Sequence, residues 1–151
     1  MTPAKPQTNP STVEQAPSFP CLCAAIRRAG RIATRQYDAY LKPSGLKITQ
    51  FSMLANIARN PEITVTRLAD LLLMDQTTVT RNLVVLEKAG WVGLEPGESD
   101  RRLKRVTITA AGQAKLDRAR PYWLEAQAAM EATLGRAGIA DLLASFQKLL
   151  E

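Results

Sequence analysis

Residues 66–90 read TRLADLLLMDQTTVTRNLVVLEKAG, and the spacing of apolar and capping side chains along this stretch decides the fold. Leu68, Ala69, Leu72 and Leu73 recur at the three- and four-residue steps of a short helix, with Thr66 as its candidate N-cap. A tight turn at Met74 follows. Asp75 then offers a carboxylate to the free amides of a second helix running from Gln76 to Ala89, and Gly90 closes it where a left-handed residue is needed. Two helices joined so tightly form a helix-turn-helix. Val79, Leu83 and Leu86 share one face of the second helix, so Gln76, Thr77, Thr80, Arg81 and Val84 look outward. Arg81 is the one charge on that face.

Downstream, Trp91, Val92 and Leu94 read as a strand, Pro96-Gly97 as a turn, and Val106 and Ile108, after Leu103, as a returning strand with period-two alternation. The loop of this hairpin, Gly97 to Arg105, carries Arg101, Arg102, Lys104 and Arg105, four bases in five positions on an element that protrudes. Upstream, Phe51, Leu54, Ile57 and Ala58 are the buried stripe of a helix that Thr49 caps and that stops before Asn60-Pro61. A short extended piece covers Ile63 to Val65. From about Ser18, the positions Leu22, Ile26, Ala29, Ala33, Tyr37 and Tyr40 keep the helical period until Pro43 and Gly45 end it. Thr109 caps a long last helical region to about Arg136, kinked at Pro121, before Gly138 and a final helix ending in Leu149-Leu150. The first 17 residues, with four prolines among Thr, Gln, Ser and Asn, read as a disordered arm.

A chain of 151 residues holds one domain, or one domain plus an oligomerisation element. Its net charge of +6 favours polyanionic partners such as nucleic acid or acidic membranes. Histidine is absent, which removes imidazole from any metal site, catalytic triad or proton shuttle. No nucleophile-and-base motif replaces it, so the expectation is a non-enzyme that requires no cofactor. No apolar run approaches the roughly 18 to 20 residues that cross a bilayer, and no basic segment leads into an apolar one at the start. We therefore expect a soluble cytoplasmic protein with no membrane partner. Cys21 and Cys23 fit a reducing compartment and supply too few thiolates for a four-coordinate zinc site unless both chains of a dimer contribute.

Short helix, turn, helix and basic hairpin, in that order, make a winged helix-turn-helix. A helix fits the major groove, where Gln, Thr and Arg can hydrogen-bond base edges and phosphates. The hairpin can place an arginine in the narrower, more negative minor groove. The expected fold class is mainly α, an α+β winged helix-turn-helix with a small hairpin wing and added helices at both ends.

Over about residues 20–150 the sequence resembles the multiple antibiotic resistance regulator (MarR) family of bacterial transcription factors. The resemblance rests on Gly45-Leu46 with Thr49-Gln50-Phe51, on Leu68-Ala69-Asp70 before Asp75-Gln76-Thr77-Thr78-Val79-Thr80-Arg81, and on Leu86-Glu87-Lys88-Ala89-Gly90-Trp91-Val92. Asp100-Arg101-Arg102 in the wing and Val106-Thr107-Ile108-Thr109 with Gly112 complete it. The resemblance implies a homodimer, usually a repressor, reading a near-palindromic double-stranded DNA operator. Residues 18–45 and 110–151 would then be the helical dimerisation region and 46–109 the DNA-binding lobe. Apolar residues near the end, Leu142, Leu143, Phe146, Leu149 and Leu150, independently call for a partner surface.

By the same resemblance Asp100 supports Arg102, which enters the minor groove beside Arg101, while Gln76, Thr78, Thr80 and Arg81 lie nearest the major-groove edges and backbone, with Thr77 at their margin. Arg81, Arg102, Lys104 and Arg105 supply salt-dependent phosphate attraction; Gln76 and the threonines discriminate bases. Family members commonly bind a small, often aromatic, acid between the dimerisation helices and the DNA lobe. Segment 21–59 holds seven cations against one acid, Asp38, and can pair with such a ligand, present solvated surface or meet the partner chain. A second trigger resembles the organic hydroperoxide sensors of the family: Cys23 takes the place of their reactive cysteine and Tyr37 that of one tyrosine. Arg27 stands where a second tyrosine is expected and can favour thiolate. From another class, an architectural DNA binder without effector would bind many sequences with similar affinity.

Overall fold

In the computed structural model the chain is described over residues 20–97 and 103–151, and it forms two compact units, Met1–Ala33 and Thr34–Glu151. The expected arm at 1–17 lies outside the described residues, and the first helix, expected from about Ser18, begins at Leu22. Helix α1 spans Leu22–Leu41 and runs into a 3-10 turn at Lys42–Ser44, which Gly45 ends in the left-handed region at φ 72°. Leu41 is wholly buried, whereas Leu22 and Ile32 are exposed.

Helix α2 covers Ile48–Arg59. Its start differs from the expected Thr49 cap for a tertiary reason. The Asp38 carboxylate, reaching over from α1, accepts the Ile48 N–H at 2.7 Å, and the Gln50 side chain accepts the Lys47 N–H at 3.0 Å. Those bonds satisfy the free amides at Lys47 and Ile48, so the helix starts two residues earlier than a Thr49 cap would allow. Strand β1, Ile63–Thr64, leads directly into α3, Val65–Leu72. Thr64, not Thr66, caps α3: its hydroxyl oxygen accepts the Arg67 N–H at 3.1 Å, and Thr66 is already the second helical residue. Pairing of β1 with β3 holds Thr64 extended, which is the backbone an N-cap requires.

Leu73 closes α3 at φ 50°, and its N–H and that of Met74 donate back to the last turn of α3. Helix α4 then runs Gln76–Lys88 and ends through Gly90 at φ 75°. The Trp91 N–H reaches Leu86 O at 3.0 Å and the Gly90 N–H reaches Glu87 O at 2.8 Å, so the left-handed residue satisfies the helix-end carbonyls. Strands β2, Val92–Pro96, and β3, Lys104–Ile108, pair antiparallel from Val92 opposite Ile108 to Pro96 opposite Lys104, with β3 central between β1 and β2. The ladder therefore takes in Pro96, Lys104 and Arg105, which the sequence assigned to the turn and loop. Proline is tolerated at that position because β2 is an edge strand.

Helix α5, Ala110–Leu134, is capped by Thr109, whose hydroxyl oxygen accepts the Gly112 N–H at 3.0 Å and whose hydroxyl donates to Gly90 O at 2.6 Å. Pro121 lies inside this helix. The break to α6, Arg136–Gln147, falls at Gly135 (φ 72°) rather than at Gly138, which sits within α6. Only the earlier glycine has a positive φ, with ψ 153°, a backbone that glycine adopts without a Cβ clash and that turns the chain out of the helix.

The core joins Leu41, Leu54 and Ile57 to Leu68, Val79, Leu83, Leu86, Val106 and Leu116, all essentially inaccessible to water. Phe51 stacks on Trp123, with ring centroids 5.6 Å apart, and fixes α2 against α5. Because the apolar faces of α3 and α4 turn into this core, their opposite faces are left to solvent. Helix α6 has no buried residue, and Leu142, Leu143, Phe146, Leu149 and Leu150 are exposed. Among the described residues no helix is long and apolar enough to cross a membrane.

Candidate nucleic-acid interface

The site begins with Asp75, the residue that starts α4. Its carboxylate accepts the Thr78 N–H at 2.8 Å and the Thr78 hydroxyl at 2.6 Å. These bonds hold the Asp75 carboxyl below the usual carboxylate range, the Thr78 hydroxyl contributing most. A carboxylate at a helix N-terminus also complements the positive end of the dipole. Since the folded pKa is lowered, the charged form stabilises α4 above the carboxyl's ordinary value of about 4, and that support is lost as pH falls through the folded value. We expect Asp75→Ala to lower the melting temperature at pH 7, with the gap to the parent closing toward pH 3; a gap independent of pH would contradict the assignment.

Thr78 is thus half-buried and engaged in the cap, although the resemblance set it among the residues nearest the groove edges. Gln76, Thr77, Thr80 and Arg81 remain, and they line one open hollow on the exposed side of α4. Thr77, outward by helical period and at the margin by resemblance, belongs to this group. The Thr80 hydroxyl donates to Gln76 O at 2.8 Å, so toward solvent it presents acceptor lone pairs. Val79, Leu83 and Leu86 point the other way into the core, which fixes the rotation of the helix.

The wing is reached only at its base. Lys104 is exposed on β3, opposite Pro96. Arg105 lies mostly under cover, its side chain 18% exposed, and its guanidinium is 3.2 Å from Glu62 Oε2. This places Arg105 as a tie between β3 and the turn before β1, a tertiary pairing across 43 residues that a loop reading does not anticipate. Asp100, Arg101 and Arg102 lie outside the described residues.

Cys21 and Cys23 are free and exposed, and Arg27 is exposed one turn after Cys23. In the second unit the Tyr37 hydroxyl donates to the Gln127 side-chain carbonyl, and burial pushes its pKa up. Sequence patterns assign neither Asp38 nor Thr64 a capping role; Asp38 acts on a position ten residues on, and Thr64 through strand pairing.

Helix-turn-helix, three-stranded sheet and basic wing base together define a winged-helix protein of the transcription-regulator class, and the comparisons with known proteins narrow this. The MarR family model matches residues 44–103. A transcriptional regulator of M. tuberculosis, MosR in complex with DNA, is 39% identical over 86% of this chain and 98% of its own, with a TM-score of 0.73. A mutant MarR of E. coli complexed with operator DNA is 26% identical over 86% of this chain and 94% of its own, with a TM-score of 0.79. The HTH-type transcriptional regulator YwoH of Bacillus subtilis is 30% identical over 92 residues. The chain spans 58 to 66% of the length of the curated relatives it matches, all of them HTH-type transcriptional regulators. The chain belongs to the MarR family of DNA-binding transcriptional regulators.

Proposed function

We propose that the protein acts in the cytoplasm as a homodimeric repressor, each α4 entering the major groove of one half of a near-palindromic operator. The observation that carries this reading is the outward cluster Gln76, Thr77, Thr80 and Arg81 at the start of α4, capped by Asp75 and backed by core. Arg81 and Lys104 supply phosphate attraction, and Arg102, supported by Asp100, reaches the minor groove with Arg101 beside it. Arg105 acts by holding β3 at its Glu62 tie. Residues 18–45 and 110–151 form the dimerisation region, and 46–109 the DNA lobe. The dimer is supported by the exposed leucines and Phe146 of the last helix and tail, too much apolar surface for a solvated terminus.

Affinity for an operator should exceed affinity for random DNA by about a thousandfold or more at fixed salt. A ratio near one would instead favour the architectural, effector-free binder. Arg102→Ala should weaken operator binding by about tenfold and reduce the salt slope by about one, with the melting temperature unchanged. Gel-shift titrations at several salt concentrations check both; unchanged affinity and slope would remove Arg102 from the site.

Release by a small aromatic acid is supported by a hollow between α2 and α5. The stacked Phe51 and Trp123 rings wall it, and Arg59 and Arg120 line it, a combination suited to a ring bearing a carboxylate. The ligand need only bind the DNA-free state better. A second reading, oxidant sensing through Cys23, is supported by its exposure beside a second free thiol and Arg27. Footprints taken with salicylate-like acids, with peroxide, and with peroxide on Cys23→Ser separate the two: loss of protection only with acid supports the first, and loss only with peroxide, absent in the variant, supports the second.

A further inference from the structure

Thr66 is exposed on the first turn of α3, and no bond of the α3 cap uses it, because Thr64 performs that task. Its hydroxyl oxygen instead accepts a hydrogen bond of 3.2 Å from the Gln76 Nε2, across the turn of the helix-turn-helix. Gln76 is the first residue of α4 and lines the outward hollow. A glutamine at the tip of a helix has three free side-chain torsions and presents its amide in many orientations. Here one of its two N–H groups is held.

The hold has a direction. A primary amide carries one hydrogen on the same side as its oxygen and one on the opposite side. Adenine is read by a pair of bonds, its N6–H to the amide oxygen and the amide's same-side N–H to its N7. We assign Thr66 the opposite-side hydrogen, which leaves that pair free and fixes the plane in which it is offered. The hydroxyl hydrogens of Thr78 and Thr80 do not compete for the amide oxygen: Thr78 donates to Asp75, and Thr80 donates to the Gln76 backbone carbonyl.

We propose that Thr66 is a positioning residue for base recognition, orienting the Gln76 amide so that it selects adenine at one position of each half-site. This rests on the reading that α4 enters the major groove. The hydroxyl adds little to the fold, since Thr66 is exposed and the cap lies elsewhere. It lowers the orientational freedom that Gln76 loses on binding, so its effect falls on discrimination at one base rather than on general affinity.

The test varies the base pair at every position of the bound operator and measures affinity for the full-length protein and for Thr66→Val, Thr66→Ser, Gln76→Ala and the double variant Thr66→Val/Gln76→Ala. The parent is expected to prefer adenine about tenfold or more at one position per half-site, a preference that Gln76→Ala erases. Thr66→Val is expected to cut that preference to about threefold or less, with the salt slope unchanged, while Thr66→Ser retains it. In the Gln76→Ala background Thr66→Val should change nothing further. If Thr66→Val keeps the full Gln76-dependent preference, or if its loss is the same with and without Gln76, the positioning role is overturned while the groove reading stands. If Gln76→Ala leaves every base preference intact, Thr66 has nothing to position, and α4 as base reader falls with it.

Discussion

Gly112→Ala destabilises the folded protein by about 3 kcal/mol, and Gly112→Val by more, so that thermal unfolding moves down by about 10 °C. The expectation follows from one contact. A Cβ on Gly112 would lie 1.9 Å from the Trp91 carbonyl oxygen and 2.8 Å from its carbon, both backbone atoms. No rotamer change relieves such an overlap; the first turn of α5 must withdraw from the end of α4. That movement would also strain the Thr109 N–H bond to the same Trp91 oxygen, at 3.0 Å, and the Thr109 hydroxyl bond to Gly90 O. The junction ties α4, β2 and α5 together, so the loss is global rather than local. Circular dichroism melts decide it, and an unchanged midpoint for Gly112→Ala would show that the junction is looser than described.

Arg81→Glu should lower operator affinity on the order of a hundredfold while leaving the melting temperature within a degree or two of the parent. The residue is exposed, no salt bridge ties it to the fold among the described residues, and its attraction to the Asp75 carboxylate is the smallest of the causes that lower that carboxyl's pKa, so the substitution acts mainly on binding. It exchanges attraction to phosphate for repulsion, and in a symmetric dimer it does so once in each half-site. Fluorescence anisotropy at low salt measures the effect. Affinity within threefold of the parent would mean that this face of α4 does not meet the duplex.

What the sequence disclosed and what it withheld divide along the range of the interactions. Asp75 and Gly90 were legible because a cap and a left-handed stop are set by residues within one turn. The inward set Val79, Leu83 and Leu86 was legible from period alone. Thr49 and Thr66 were misassigned as caps because Asp38, ten residues upstream of Ile48, and the pairing of β1 with β3 decide where α2 and α3 begin. The pairing of Arg105 with Glu62 and the bond from Gln76 to Thr66 are contacts between elements, and no local pattern announces them. At the start of α4, helical period already set Thr77 outward and left Thr78 out; geometry adds the reason, the Thr78 hydroxyl being turned into the Asp75 cap. Gly112 was noticed as part of a motif; its reason, the approach of α5 to the Trp91 carbonyl, is visible only in three dimensions.

Hydroxyl-radical footprinting on the DNA upstream of the protein's own gene, compared with Arg81→Glu, tests most directly whether α4 reads DNA as one of a symmetric pair. The account predicts two protected patches related by a dyad, their centres about 10 to 10.5 base pairs or a multiple apart, and their loss in the variant. A single unpaired patch, or protection that survives Arg81→Glu unchanged, would contradict it.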